Sequence, residues 1–163
     1  MLLFLIVGCY SGKQADVKAA GQTKNQLSVW TVYWDAEEGT NEFRRFEKRL
    51  DEVSVFAAYF AEDGKLFLPE ELILDKRVAK KKKKLVEYLT IVNDRVLPDG
   101  NKEFKKTEFL HNLLNDQEKR KEHIENIIAL AKSEHFDGVE IDYERVWKDC
   151  ETKDTFLPFI KEL

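Results

Sequence analysis

Apolar, β-branched segments alternate along this chain with segments whose apolar residues recur at helical spacing. Four near-continuous apolar segments predict strands at residues 27–35, 52–61, 85–93 and 136–144. Apolar periodicity and helix-start residues predict the intervening helices. These cover 41–51, a segment from Pro69 through 84, a long helix that begins at Asn115 or Asp116, and a last one from Asp154. The order is therefore a strand followed by a helix, four times over.

The strands are apolar on both faces, which indicates an α/β fold with parallel strands covered by helices. A doubly wound sheet would need a glycine-rich turn after the first strand to bind a nucleotide, and that turn offers only Gly39. The alternative is a (β/α)8 TIM barrel, whose chemistry lies at the carboxyl ends of the strands. Because a complete barrel takes about 250 residues, we expect residues 27–163 to hold about the first four β/α units.

The first nine residues form an apolar run that ends in Gly8 and Cys9. The run is too short to cross a bilayer, which takes about 20 residues, but it is typical of the core of a secretory signal. Residues 6–9, Ile-Val-Gly-Cys, resemble a bacterial lipobox, which implies a lipid on Cys9. No Lys or Arg precedes the run, and a frayed hydrophobic end is the alternative. With residues 10–26 as a flexible tether, we expect a membrane-anchored, extracytoplasmic lipoprotein.

Composition narrows the class of protein. With 163 residues, 43% hydrophobic and 36% charged, the chain suits a globular domain with a real core. A net charge of −4 gives no electrostatic case for nucleic acid as a partner. The two cysteines are too few for a disulfide framework, and Cys150 is predicted to be a free thiol. His111, His123 and His135 show no ligand spacing with cysteine, so no metal site is predicted.

The predicted fourth strand contains a ladder of acids. Alternate side chains of a strand point to opposite faces, so acidic and apolar residues separate: Glu140, Asp142 and Glu144 on one face, Val139, Ile141 and Tyr143 on the other. We expect the acids to face the barrel interior. Burying three carboxylates together is costly unless some are protonated or hydrogen-bonded. Since like charges raise the pKa of one member, a protonated carboxyl results, as a general acid requires.

Residues Asp137 to Glu144, in the segment "DGVEIDYE", resemble the D-x-x-D-x-D-x-E signature of glycoside hydrolase family 18, the chitinase and endo-β-N-acetylglucosaminidase family. The departure is Glu140, where the family usually has Asp, while the final Asp142-x-Glu144 pair is intact. The resemblance covers roughly residues 27–163. The third strand ends "LTIVND" without the two glycines of typical chitinases, which is more similar to the spore-cortex and peptidoglycan glucosaminidase branch.

The resemblance implies hydrolysis of β-1,4 bonds next to N-acetylglucosamine, in chitin, peptidoglycan or N-glycans, with retention, substrate assistance and no cofactor. Glu144 would be the general acid/base, Asp142 would orient the 2-acetamido group, and Glu140 would hold Asp142. Asp137 and Gly138 would be structural. Asp142 and Glu144 lie about 7 Å apart along one face, so they cannot flank a scissile bond from opposite sides. Since incomplete family members are lectins, a non-catalytic glycan-binding lipoprotein on a degenerate barrel is the alternative.

Further candidates for sugar contact come from the ends of the other strands. Tyr33 and Trp34 end the first strand, Tyr59 ends the second and Asn93 ends the third. Aromatic rings stack on the apolar faces of sugars, but Tyr33 and Tyr59 fit a core position equally well. Trp30 is expected in the core. Lys80 to Lys84 are expected to form the solvated last turn of a helix, where cations complement the helix dipole.

Overall fold

The computed structural model of the chain describes residues 26–69, 85–148 and 150–163. The leader at 1–9 with Cys9, residues 10–25 of the tether, and the helix predicted between Pro69 and 84 with its lysine run lie outside the described residues. Within the described ranges, none of the helices combines the length and the apolar character needed to cross a membrane.

Four parallel strands lie side by side in chain order. They are β1 (Ser28–Val32), β2 (Glu52–Ala61), β4 (Val86–Val96) and β6 (Gly138–Asp142). Two short strands pair antiparallel with the long ones: β3 (Leu66–Phe67) with β2, and β5 (Lys102–Glu103) with β4. A doubly wound sheet reverses its strand order at a switch point, whereas here each parallel strand pairs with the next. The predicted α/β class and barrel order are therefore confirmed.

Helices cover one face of this sheet. A 3-10 turn (Tyr33–Asp35) leads into α1 (Ala36–Phe46), and α2 (Glu108–Asn115), α3 (Gln117–Ser133) and α4 (Cys150–Glu162) follow. The main core lies between the strands and the last three helices, and its fully buried side chains are Phe60, Leu89, Ile91, Leu110, Leu114, Ile127 and Phe159. Val139, Ile141 and Tyr143 of the acid-bearing segment pack against this core. The acids therefore face the opposite, barrel-interior side, as the alternation predicts.

Several element boundaries differ from those predicted. Helix α1 begins at Ala36, so the segment "EEGT" is helical and not a turn. Acidic side chains at Glu37 and Glu38 favour the first turn of a helix, and Gly39 costs only about 1 kcal/mol there. The sequence did not predict α2. Of the two caps left open for the long helix, the structure uses Asp116, whose Oδ1 accepts hydrogen bonds from two backbone N–H groups.

Strand β4 continues to Val96, three residues beyond its predicted end. The extra residues pair with β5 in a hairpin. An Asp-Gly dipeptide makes the turn, with Gly100 at φ 81°, a conformation that glycine adopts without steric cost. This hairpin rises at the carboxyl end of the sheet, so its residues and the following loop stand at the rim where barrel enzymes bind substrate.

Candidate active site

Asp137 and Gly138 set the start of β6 against β4. The backbone N–H of Glu87 donates to Asp137 Oδ2 at 2.9 Å, and the Asp137 N–H donates to the Glu87 carbonyl at 2.9 Å. A Cβ atom at Gly138 would lie 2.8 Å from the ring of Tyr88, so a larger residue would require that ring to move. Both residues thus have structural contacts, which is the role that the resemblance implies for them.

Glu140 lies two residues after Gly138 on β6, and Thr90 of β4 is its partner in the strand register. The Thr90 hydroxyl, which is fully buried, donates to Glu140 Oε2 at 2.8 Å. The resemblance implies that Glu140 holds Asp142. In this structure its hydrogen bond goes to Thr90, and its effect on Asp142 is through charge.

Asp142 ends β6 with its carboxyl group half-buried among other acids. Burial is the main cause of the raised pKa of Asp142, and the negative charges of Glu144, Glu140 and Asp94 raise that pKa further. The ammonium of Lys105 acts in the opposite sense. Asp142 therefore keeps its proton to a higher pH than an exposed aspartate does.

Glu144 follows two residues after the end of β6, and the side chain of Asn93 holds its backbone. Asn93 Oδ1 accepts from the Glu144 N–H at 2.8 Å, and Asn93 Nδ2 donates to the Glu144 carbonyl at 3.0 Å. Asn93 is only 1% exposed. It borders the cavity described below, but both ends of its amide are engaged with Glu144. This positional role differs from the sugar contact that the sequence analysis predicts for Asn93.

The loop after β5 brings a cation to the acids. The Lys105 ammonium forms an ion pair with the Glu144 carboxylate. The Lys105 backbone N–H also donates to Asp94 Oδ1 at 2.8 Å. Burial raises the pKa of Asp94, and the Lys105 N–H partly offsets that rise. Asp94 near the end of β4, Lys105 in the loop after β5 and Glu144 after β6 thus form one charge cluster.

A cavity of about 330 Å³ opens above this cluster, within the size range of small-ligand sites. Its walls combine acids, lysines and aromatic rings: Trp34, Phe56, Tyr59, Val92, Asn93, Asp94, Lys102, Phe104, Lys105, Asp142 and Glu144. Trp34 is 63% exposed and meets the Phe56 ring edge-on at 5.5 Å. Tyr59 is nearly buried and packs beside Phe67. The arrangement offers apolar ring surfaces next to three carboxyl groups, a combination that suits a sugar.

The cavity unites five of the predicted site residues: Trp34, Tyr59, Asn93, Asp142 and Glu144. The side chain of Tyr33 lies outside the described part of the structure. Trp30 does not belong to the core of this chain, because its side chain is 54% exposed and stacks on Phe56 on the inner face. Among the described ranges, no group of three or more His, Cys, Asp or Glu side chains is placed to hold a metal ion.

Sequence reasoning missed the contributions of Asp94, near the end of the third parallel strand, and of β5 with the loop that follows it. Asp94, Lys102, Phe104 and Lys105 all line the cavity. A signal was available, because barrel sites are built from the loops after the strands and this loop carries a lysine-rich stretch beside a single Phe. What the sequence could not show is that Lys105 folds back onto an acid 39 positions further along the chain.

Comparison with known families identifies the chain. The family model for glycosyl hydrolases family 18 matches residues 29–163. The chain belongs to this family. No curated protein sequence matches it.

Solved structures agree on the fold. A class V chitinase from Nicotiana tobaccum superposes with a TM-score of 0.66 at 15% identity, over 85% of this chain and 38% of that one, and its mutant is known in complex with NAG4. The Bacillus cereus spore cortex-lytic enzyme SleL gives 0.61 at 19% identity, over 86% and 32%. The chitinase-like agglutinin of Robinia pseudoacacia gives 0.62 at 16% identity, over 83% and 39%. The chain thus spans about a third to two fifths of the length of these solved structures.

Proposed function

We propose that this family 18 chain belongs to a glycosidase that hydrolyses β-1,4 bonds next to N-acetylglucosamine in chitin, peptidoglycan or N-glycans. The observation that carries the proposal is that Asp142 and Glu144 line one wall of one cavity, at the carboxyl end of β6. Trp34 and Tyr59 line the same cavity and supply ring surfaces for a sugar. The complex of the tobacco chitinase mutant with NAG4 supports the choice of an N-acetylglucosamine glycan.

Family membership implies a substrate-assisted mechanism, and the shared wall is consistent with it. Two carboxylates on one side of a sugar cannot act from opposite faces of the scissile bond, as the usual glycosidase mechanisms require. Glu144 would donate a proton to the glycosidic oxygen while the substrate's own acetamido oxygen attacks the anomeric carbon. The bond to the leaving sugar breaks and an oxazolinium ion forms. Water then attacks the anomeric carbon from the side that the leaving group vacated, Glu144 takes the water's proton, and the bond to the acetamido oxygen breaks, which restores the 2-acetamido group. Two inversions give net retention.

Asp142 would serve the acetamido group. In the free site its pKa is raised, mainly by burial. A positive charge developing on the oxazolinium ion would favour the carboxylate form of Asp142, because an opposite charge nearby stabilises the ionised state. Asp142 in its carboxylate form would orient the acetamido group by accepting a hydrogen bond from the acetamido N–H, and it would be the counter-ion as that group turns cationic. Glu140, fixed by Thr90, would supply charge behind Asp142.

The test uses the full-length natural protein and the tetramer of N-acetylglucosamine. We expect cleavage in which NMR detects the β-anomer first, and we expect Glu144→Gln to abolish most of it. Glu108→Gln, on an exposed residue of α2, serves as the control and should cleave normally. Detection of the α-anomer as the first product, before mutarotation, would contradict the substrate-assisted mechanism.

A second function, glycan binding without hydrolysis, draws on the ion pair between Lys105 and Glu144. A carboxylate held by an ammonium is not a proton donor. If this pair persists with sugar bound, the protein binds glycan but does not cleave it. Tight binding of the tetramer, unchanged in Glu144→Gln and accompanied by no product, would establish this alternative.

We further propose that the protein is an extracytoplasmic lipoprotein, anchored through a lipid on Cys9. The support is the segment Ile6 to Cys9 followed by a polar stretch at residues 10–26. In a bacterial host, the protein should take up an alkyne-labelled fatty acid and partition with the membrane, and Cys9→Ser should abolish both. Cys150→Ser is the matched control and should change neither. Unchanged labelling in the Cys9→Ser variant would refute the anchor.

A further inference from the structure

Two lysines, Lys102 in β5 and Lys105 in the loop after it, line the cavity that holds the acids. Lys105 forms the ion pair with Glu144, and the Lys102 ammonium lies 5.6 Å from the centre of the Tyr59 ring. Both side chains border the cavity together with Phe104. The loop is anchored there, because the Lys105 N–H donates to Asp94. The proposed hydrolysis of a neutral sugar chain does not by itself require any of these cations.

The proposed reaction breaks the ion pair between Lys105 and Glu144, because it requires Glu144 to lose its negative charge. Glu144 must be a neutral carboxyl group when it donates its proton to the glycosidic oxygen, so at that moment it no longer balances the ammonium. Lys105, whose side chain keeps 36% of its surface exposed, is then open to a new anionic partner. Asp94 is a poor replacement, because its pKa is raised by burial and its Oδ1 already accepts the Lys105 N–H. The substrate itself can supply the missing negative charge.

Given the proposed glycosidase function, on which this inference rests, we propose that the preferred substrate is an N-acetylglucosamine glycan carrying a carboxylate on a sugar that adjoins the cleaved bond. Lys105 is then a specificity-determining residue. It pairs with Glu144 in the empty site and with the substrate carboxylate once Glu144 is protonated. Phe104 is exposed at the cavity wall beside it and offers an apolar surface to the ring or to the alkyl part of the acidic substituent.

The experiment compares two oligosaccharides of equal length with the full-length protein. One is all N-acetylglucosamine, and in the other alternate residues carry an O-linked lactyl carboxylate. We expect kcat/KM to favour the acidic oligosaccharide roughly 10-fold, the effect of one hydrogen bond to a charged group. In Lys105→Met this preference should fall to about 1, and Lys105→Arg should keep most of it. Lys106→Met is the control, because Lys106 borders a different pocket beside Arg95 and Glu103. This variant should retain the preference for the acidic oligosaccharide.

The outcomes separate this inference from the proposed function. Equal turnover of the two oligosaccharides, or an equal loss on both in Lys105→Met, overturns the role of Lys105 and leaves the glycosidase proposal standing. If neither oligosaccharide is cleaved, the glycosidase proposal fails. Calorimetric binding to the Glu144→Gln variant then decides the inference. Tighter binding of the acidic oligosaccharide, abolished when Lys105→Met is added, supports it, and equal, weaker or no binding overturns it.

Discussion

Asn93 and Glu144, which are 51 positions apart, are joined by two hydrogen bonds between the side-chain amide of one and the backbone of the other. The Asn93 amide accepts from the Glu144 N–H and donates to the Glu144 carbonyl, much as a neighbouring strand would. Glu144 has left β6 at this point, so the strand ladder no longer fixes its position. The two hydrogen bonds from Asn93 take the place of strand pairing and fix the backbone of Glu144, from which its carboxyl group projects.

Replacing Asn93 should therefore damage proton donation in particular. Asn93→Ala leaves backbone groups near a buried position without partners, which should lower the free energy of unfolding by about 1–3 kcal/mol. In the full-length protein, kcat should fall much more on a natural oligosaccharide than on an aryl glycoside, whose leaving group hardly needs a proton. Asn112→Ala, at an exposed position of α2, is the control. An equal loss on both substrates would show that Asn93 only supports the fold.

Substitutions of Asp142 and Glu144 should lower kcat in different patterns on natural and activated substrates. Glu144→Gln should lower cleavage of a natural oligosaccharide by about 10²–10⁴-fold, the usual contribution of general acid catalysis, and that of an activated aryl glycoside much less. Asp142→Asn should lower both by similar factors, because the acetamido oxygen must displace either leaving group. A table of kcat values for both variants on both substrates tests this pattern. Efficient turnover of a de-acetylated aryl glycoside would instead indicate an enzyme nucleophile.

Gly138 should not tolerate even a methyl group. The added Cβ of Gly138→Ala would lie 2.8 Å from the Tyr88 ring, and relieving such overpacking typically costs about 1–3 kcal/mol. Urea denaturation measures the change in the free energy of unfolding. Gly39→Ala is a matched control in helix α1, where the added Cβ meets nothing within 4 Å, so it should be neutral or stabilising by up to about 1 kcal/mol. If removal of the ring in Tyr88→Ala does not rescue Gly138→Ala, the contact is not the cause.

The buried pair of His123 and Tyr143 should make stability depend on pH. The His123 Nε2 and the Tyr143 hydroxyl lie 2.7 Å apart, and burial lowers the pKa of His123 from 6.5 to about 4. Between these values the unfolded chain binds the proton and the folded chain does not, so stability falls as the pH drops through this window. The complete loss is roughly 3 kcal/mol.

Unfolding free energies at about pH 7.5 and about pH 4.5 test this dependence. His123→Gln, which keeps a polar group facing Tyr143, should lose a smaller part of its stability on acidification than the wild type does. His135→Asn, at an exposed residue, should behave like the wild type. An identical loss in wild type and His123→Gln would assign the acid sensitivity to other groups.

Local patterns explain why the strand order and the acid-bearing strand could be predicted. Neighbouring side chains of a strand point to opposite faces. Since Asp142 faces the barrel interior, Tyr143 faces the helices. Strand β2 matches its predicted bounds because it is apolar almost throughout, with Glu52 at its first position and Ser54 as its other polar residue. The end of β4 was missed because its last residues pair with β5 across a hairpin, and that pairing stabilises polar residues which the local pattern assigns to a loop.

The sequence by itself thus determined which residues carry the acids, on which face of the strand they lie, and that parallel strands bear helices on one side. Those properties depend on neighbours within a few positions, where covalent geometry sets the spacing. Only the tertiary structure decided that Asn93 clamps Glu144, that Lys105 pairs with it, and that Asp142 has the raised pKa. Each of these depends on where a loop closes and on how much water the packed chain excludes, and no local spacing encodes either quantity.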